Sequence, residues 1–113
     1  MKLSENESKQ NTEVLIQRLM LYRTYQTMLN LSVVAMPGFD RAQAERLARE
    51  LESEVRALPV GRERLILELH YFEGNSIEAC AELMGISRST AFRIHRRALE
   101  LLAFRERLRE MHA

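Results

Sequence analysis

The segment SIEACAELMGISRSTAFRIHRR, residues 76 to 97, has the residue pattern of two short helices joined by a tight turn. Helices that cross steeply at such a turn need a small residue at their contact and a turn residue that accepts left-handed geometry. Ala81 is the small residue, and Gly85 is the turn residue four positions later. Apolar residues at the spacing that packs the two helices together are Ile77, Cys80, Met84, Ile86, Ala91, Ile94 and Ala98. The segment therefore predicts a helix-turn-helix.

Capping residues give the bounds of these two helices. Ser76 is a suitable N-cap for a short helix that runs to Met84, and Gly85 ends it. Ser87 caps the last helix, which we expect to run from Arg88 to about Glu110.

Three more helices are predicted upstream of residue 76. Thr12 begins a helix that runs from Val14 to about Ala35, and the sequence Met-Pro-Gly at 36–38 breaks it. Asp40 caps a second helix that extends through Ala57, with an apolar stripe at Ala44, Leu47, Ala48, Leu51, Val55 and Leu58.

The third helix runs from Arg62 to Tyr71 or Phe72, and Gly74 and Asn75 end it because both tolerate positive φ. Its expected inward residues are Leu65, Ile66, Leu69 and Phe72. With only 4 Gly and 2 Pro in 113 residues and no credible strand, the sequence predicts an all-α fold of about five helices. We expect a polar tail at 1–11, a helical N-terminal part at 12–57 and the helix-turn-helix domain at 58–113.

The first helix carries more apolar side chains than one buried stripe requires, which favours packing on two sides. A helix of this kind is the natural candidate for the contact of a homodimer, which we expect for this chain. The predicted interface residues are Leu15, Leu19, Tyr22 and Leu29.

The exposed side of the last helix carries the residues that point to an anionic partner. At 100° per residue, one arc holds core residues, while the opposite arc holds Arg88, Ser89, Phe92, Arg93, Arg96 and Arg97. With Ser87 and Thr90 at the start of the helix, these are the candidate DNA-contacting residues. Guanidinium groups on the first turns of a helix suit the major groove, where they contact guanine edges or phosphates.

The distribution of charge agrees with this interpretation. Residues 1–87 have a balance of −3, whereas residues 88–113 carry seven Arg against three Glu. Fifteen of the 17 basic residues are Arg, whose planar guanidinium matches phosphates and base edges.

Three further residues of this segment have predicted positions. We expect Phe92 to contact a thymine methyl group or to cover a neighbouring helix. We expect His95 to lie at the surface or to contact a phosphate, and Cys80 to be a buried, inert thiol.

The stretch from Leu58 to Leu102 resembles region four of bacterial sigma factors. That family typically has Leu-Pro, a charged helix, a Tyr-containing helix end followed by glycine, and a helix-turn-helix that ends in Arg-Ala. In this sequence those features are Leu58-Pro59, Arg62–Glu68, Tyr71 with Gly74, Gly85–Ser87 and Arg97-Ala98. The part before Leu58 is too short for the promoter-melting domain of a true sigma factor.

A small chain of this arrangement is similar to phage and prophage transcriptional regulators of the ArpU type. The resemblance implies sequence-specific binding of double-stranded DNA and leaves open a contact with bacterial RNA polymerase. It places the recognition helix on Ser87–Arg97 and the backbone-contacting first helix on Ser76–Met84.

Two other functions stay open at this point: a small terminase-like DNA-packaging subunit, and an adaptor that binds RNA polymerase without DNA. The sequence contains no glycine-rich phosphate loop, no metal-ligand spacing and no nucleophile–base pair, so we expect no enzyme activity, cofactor or metal. A single cysteine, no secretion signal and no apolar stretch that could span a membrane indicate a cytoplasmic protein. The resemblance implies that the cell is bacterial, or bacterial and infected by a phage.

Overall fold

The computed structural model describes residues 5–30 and 40–112, and within these ranges it contains five α-helices and no strand. The helices are α1 (Glu5–Asn30), α2 (Arg41–Arg56), α3 (Arg62–Leu67), α4 (Ile77–Met84) and α5 (Arg88–His112), and a π-helical turn, Glu68–Phe72, directly continues α3. The predicted all-α fold class is confirmed. In the described part of the chain, no helix combines the length and the apolar character needed to cross a membrane.

Helix α2 begins at the predicted cap. The Asp40 side chain accepts a hydrogen bond of 3.1 Å from the Gln43 backbone N–H, which satisfies one of the free donors at the helix start. The predicted stripe is buried except for Leu47, which is half-buried.

Helix α1 begins at Glu5, seven residues before the predicted start at Thr12. The prediction was wrong because it took the polar composition of residues 1–11 as a sign of a tail. Glu, Lys and Gln are strong helix formers, and acidic residues favour the first turn of a helix. The predicted end near Ala35 and the Met-Pro-Gly break lie outside the described residues.

The third helix ends in a π turn that the sequence did not reveal. The Glu73 N–H donates to the Glu68 carbonyl at 3.0 Å, a bond that spans five residues instead of four. The inward residues also differ from the prediction: Leu65 is 43% exposed, whereas Leu67 and Tyr71 are buried. Ile66 is buried as predicted, and Leu69 and Phe72 are partly buried.

All five helices contribute to one hydrophobic core. This core joins the predicted N-terminal part, residues 12–57, to the predicted helix-turn-helix domain, residues 58–113. Helix α1 packs against α2, α5 and the π turn, so it does pack on more than one side. Its residues Leu15, Leu19 and Tyr22 lie in the same core as Ala91 and Ala98 of α5. The Tyr22 hydroxyl also donates a hydrogen bond to Glu52 of α2.

This placement corrects the predicted oligomer interface. Leu15 and Leu19 are fully buried within the single chain and Tyr22 is almost so, which leaves them no surface for a second copy to contact. Leu29 is half-buried. The sequence pattern identified apolar positions correctly but could not separate those that pack inside the chain from those that face solvent.

We predict that Leu19→Ala lowers the free energy of unfolding by about 2–5 kcal/mol, because it leaves a cavity at a fully buried site. Leu21→Ala, on the exposed side of the same helix, should lower it by less than about 1 kcal/mol. Urea denaturation followed by circular dichroism measures both. Equal, small effects would show that α1 does not belong to the core.

Candidate nucleic-acid interface

The turn between α4 and α5 has the geometry predicted for a helix-turn-helix. The Ser76 hydroxyl accepts from the Ala79 N–H at 3.1 Å and caps α4. Gly85 ends α4 with a φ of +67°, in the left-handed region that side chains other than glycine rarely adopt. The Ile86 N–H then donates back to the Ala81 carbonyl at 3.0 Å, which closes the helix end.

Three hydroxyl groups lie together at the start of α5. The Ser87 hydroxyl accepts from the Thr90 N–H at 3.2 Å and so caps the helix as predicted. It also donates to the Thr90 hydroxyl at 2.7 Å and lies 3.4 Å from the Ser89 hydroxyl. The positive end of the helix dipole and these hydroxyls face solvent next to the turn.

The residues predicted to pack the two helices lie between them. Ile77, Ala81, Ala91 and Ile94 are buried in the core, and Met84 and Ile86 pack against it with partial burial. Cys80 is fully buried as expected, and burial raises the pKa of its thiol. One face of α5 is thereby held against α1, α3 and α4.

The opposite face of α5 presents the predicted DNA-contacting residues together. Seven of them are exposed: Ser87, Arg88, Ser89, Phe92, Arg93, Arg96 and Arg97. Thr90 is half-buried, because its hydroxyl is engaged by the cap. The first three turns of α5 therefore carry four arginines on one continuous solvent-facing surface, which we call the arginine face.

The four arginines differ in their partners. A guanidinium nitrogen of Arg88 lies 3.1 Å from the carboxylate of Glu78 in α4, and one of Arg97 lies 3.6 Å from that of Glu63 in α3. Arg93 and Arg96 lie between Arg88 and Arg97 in the helix, and neither forms an ion pair with any residue that the structure describes. These two side chains have the most complete set of free N–H donors on the arginine face.

Phe92 lies beside Arg88 on this surface. The Arg88 guanidinium carbon is 5.7 Å from the centre of the Phe92 ring, a separation within the range of a cation–π contact. The side chain is 43% exposed, and the expectation that Phe92 covers a neighbouring helix stays a prediction. A contact with a thymine methyl group stays a prediction.

His95 lies behind the arginine face. This position differs from both that the sequence predicted, which were at the surface or in contact with a phosphate. Its Nε2 is 2.7 Å from the buried Tyr71 hydroxyl, and its ring centre is 5.4 Å from that of His70. Burial, together with the nearby His70, lowers the pKa of His95 to about 4, and burial raises that of Tyr71 to about 12. Both groups are therefore neutral near pH 7 and form a neutral hydrogen bond that joins α5 to the π turn.

Several residues of this region were not found from the sequence. Glu63 and Glu78 had no predicted partner, because only the fold places them beside Arg97 and Arg88, which are distant in sequence. Tyr71, predicted at the end of the third helix, contacts His95 of α5. No group of three or more His, Cys, Asp or Glu side chains that could hold a metal ion occurs among the described residues.

The fold and the exposed basic helix define this part of the chain as a helix-turn-helix. Residues 61–103 match the family model of sigma-70 region 4, a helix-turn-helix DNA-binding domain. The match begins just after Pro59 and ends within α5, and it covers less than half of the chain. Comparisons of the chain with curated proteins and with solved structures gave no match.

We predict that protonation of His95 destabilises the fold in acid. The unfolded chain binds this proton below about pH 6.5, whereas the folded chain resists it until about pH 4, so stability falls as pH decreases between these values. His95→Gln removes the titration and keeps a donor for Tyr71. Urea denaturation from about pH 7 to about pH 4.5 should show the wild type losing stability relative to this variant.

Other titrating groups are the same in both proteins, so their contributions cancel in the difference. Parallel stability profiles of the two proteins against pH would contradict the prediction, because they would mean that His95 has the same pKa in the folded and unfolded chains.

Proposed function

We propose that the protein is a sequence-specific regulator of transcription, encoded by a phage or prophage, that binds double-stranded DNA with the start of α5 in the major groove. The observation that carries the proposal is the arginine face on the second helix of a helix-turn-helix. The match to sigma-70 region 4 supports DNA binding. The phage assignment is supported by the resemblance of the whole arrangement to ArpU-type regulators.

The geometry of α5 suits this mode of binding. The major groove of B-DNA admits one α-helix, and the exposed residues of a recognition helix contact base edges from its N-terminal turns. Arg93 and Arg96 are free to contact guanine edges or phosphates, since no carboxylate in the described chain holds them. The hydroxyls at the start of α5 and the helix dipole favour a phosphate beside the turn.

A second candidate function is an adaptor that binds bacterial RNA polymerase, because sigma region 4 is part of a polymerase subunit. The two functions differ in the role of the arginine face. An adaptor would retain polymerase binding after loss of Arg93 and Arg96, whereas a DNA-binding regulator would no longer bind its operator DNA.

We predict that Arg93→Ala with Arg96→Ala weakens binding to a random DNA duplex by on the order of tenfold to a hundredfold. If both arginines contact phosphates, the slope of log affinity against log salt should also fall by about 2. Fluorescence anisotropy at several salt concentrations measures both quantities.

The matched control is Arg46→Ala with Arg49→Ala, which removes the same charge from the exposed surface of α2. Arg46 and Arg49 lie near Arg109, toward the other end of α5, and their loss should have a much smaller effect. If the wild type does not bind DNA even at low salt, or if both double variants weaken binding equally, the arginine face is not the DNA-binding surface.

We propose further that the protein binds DNA as a homodimer and that α1 provides the contact. Its apolar residues Val14, Met20 and Leu21 are 57%, 61% and 46% exposed. Helical spacing places Val14 and Leu21 on one face of α1, with Met20 about 100° further around the helix. Such residues suit a self-complementary interface around a two-fold axis, which a palindromic operator would match.

Sedimentation at micromolar concentration should therefore give the mass of a dimer, and Val14→Gln with Met20→Gln and Leu21→Gln should give a folded monomer. Three exposed apolar residues elsewhere provide the control, in which the dimer should persist: Val60→Gln, Leu65→Gln and Leu83→Gln. A monomeric wild type would contradict the dimer, and a larger ring-like mass would favour a DNA-packaging subunit.

A further inference from the structure

The acid at the first turn of α4 has an unusual position for a DNA-binding surface. Glu78 lies 3.1 Å from Arg88 at the edge of the arginine face, and its side chain is about half exposed. A carboxylate at this position opposes the approach of phosphates, so it lowers affinity for DNA of any sequence.

The same carboxylate fixes the direction of the arginine. The Arg88 guanidinium is held by Glu78 on one side and by the Phe92 ring, 5.7 Å from its centre, on another. A guanidinium has five N–H donors, so an ion pair with one carboxylate leaves others free toward solvent. Arg88 is 71% exposed and retains this free edge.

We infer that Glu78 is a positioning residue that increases sequence discrimination by keeping Arg88 from contacting phosphates and directing its free edge toward a base. The inference rests on the proposed DNA-binding function. A planar donor pair held in one orientation suits the two acceptors that guanine presents in the major groove, whereas a mobile arginine contacts any phosphate within reach.

Glu78→Gln tests this inference, because it removes the charge and keeps the size and polarity of the side chain. Glu82→Gln is the matched control, since Glu82 is an exposed acid on the same helix with no ion pair in the described residues. Two probes are needed: a random duplex, and a duplex selected from a randomised pool by the wild-type protein. Anisotropy at several salt concentrations gives the affinity for each.

We expect Glu78→Gln to bind the random duplex about threefold to tenfold more tightly, with a salt slope steeper by about 1 because Arg88 gains a phosphate contact. Affinity for the selected duplex should stay unchanged or fall, so the ratio of specific to random binding decreases. Glu82→Gln should raise both affinities slightly and equally through its charge alone. In an Arg88→Ala background, the effect of Glu78→Gln should fall to that of Glu82→Gln, because only the charge effect remains once the pair is broken.

Equal effects of Glu78→Gln and Glu82→Gln on both duplexes would overturn the inference and leave the proposed function intact. Persistence of the full Glu78→Gln effect without Arg88 would overturn it too. If the wild type binds neither duplex, the proposed function fails, and the inference fails with it.

Discussion

The packing of one face of α5 against three other helices determines what the protein presents to solvent. Helix α5 is a single helix of 25 residues, and its buried side chains contact α1, α3 and α4 along much of its length. Because the burial of Ala91, Ile94 and Ala98 fixes the rotation of the helix, the arginines on its other face cannot turn inward. The left-handed turn at Gly85 fixes the direction in which α5 leaves α4.

The two ends of α5 are held by different interactions. Near its start, the hydrogen bond between Tyr71 and His95 joins the helix to the π turn, in which Tyr71 is buried. Near its end, Glu54 of α2 lies 3.3 Å from Arg18 of α1 and 2.9 Å from Arg109 of α5, so one carboxylate links three helices. The N-terminal helices therefore support α5 directly.

Features that depend on local chemistry could be predicted from the sequence. The caps at Asp40, Ser76 and Ser87 and the left-handed Gly85 occur where expected, because each side chain acts on backbone groups within a few residues of itself.

Features that depend on the whole fold could not be predicted in this way. The π turn is a change of hydrogen-bond register without a residue signature. The apolar pattern of α3 also did not show that Leu67 is buried while Leu65 is exposed. The apolar pattern of α1 likewise did not show that Leu15 and Leu19 fill the core of their own chain.

The charge balance of the sequence does not predict which arginines of α5 are paired with acids. The excess of arginine after residue 87 suggests a uniformly basic helix, but acids from the first 87 residues lie against it. Glu78 pairs with Arg88, Glu63 with Arg97 and Glu54 with Arg109. These pairs reduce the positive potential at the two edges of the arginine face and near the end of α5. Within the arginine face, the charge without an ion pair is that of Arg93 and Arg96, at its centre.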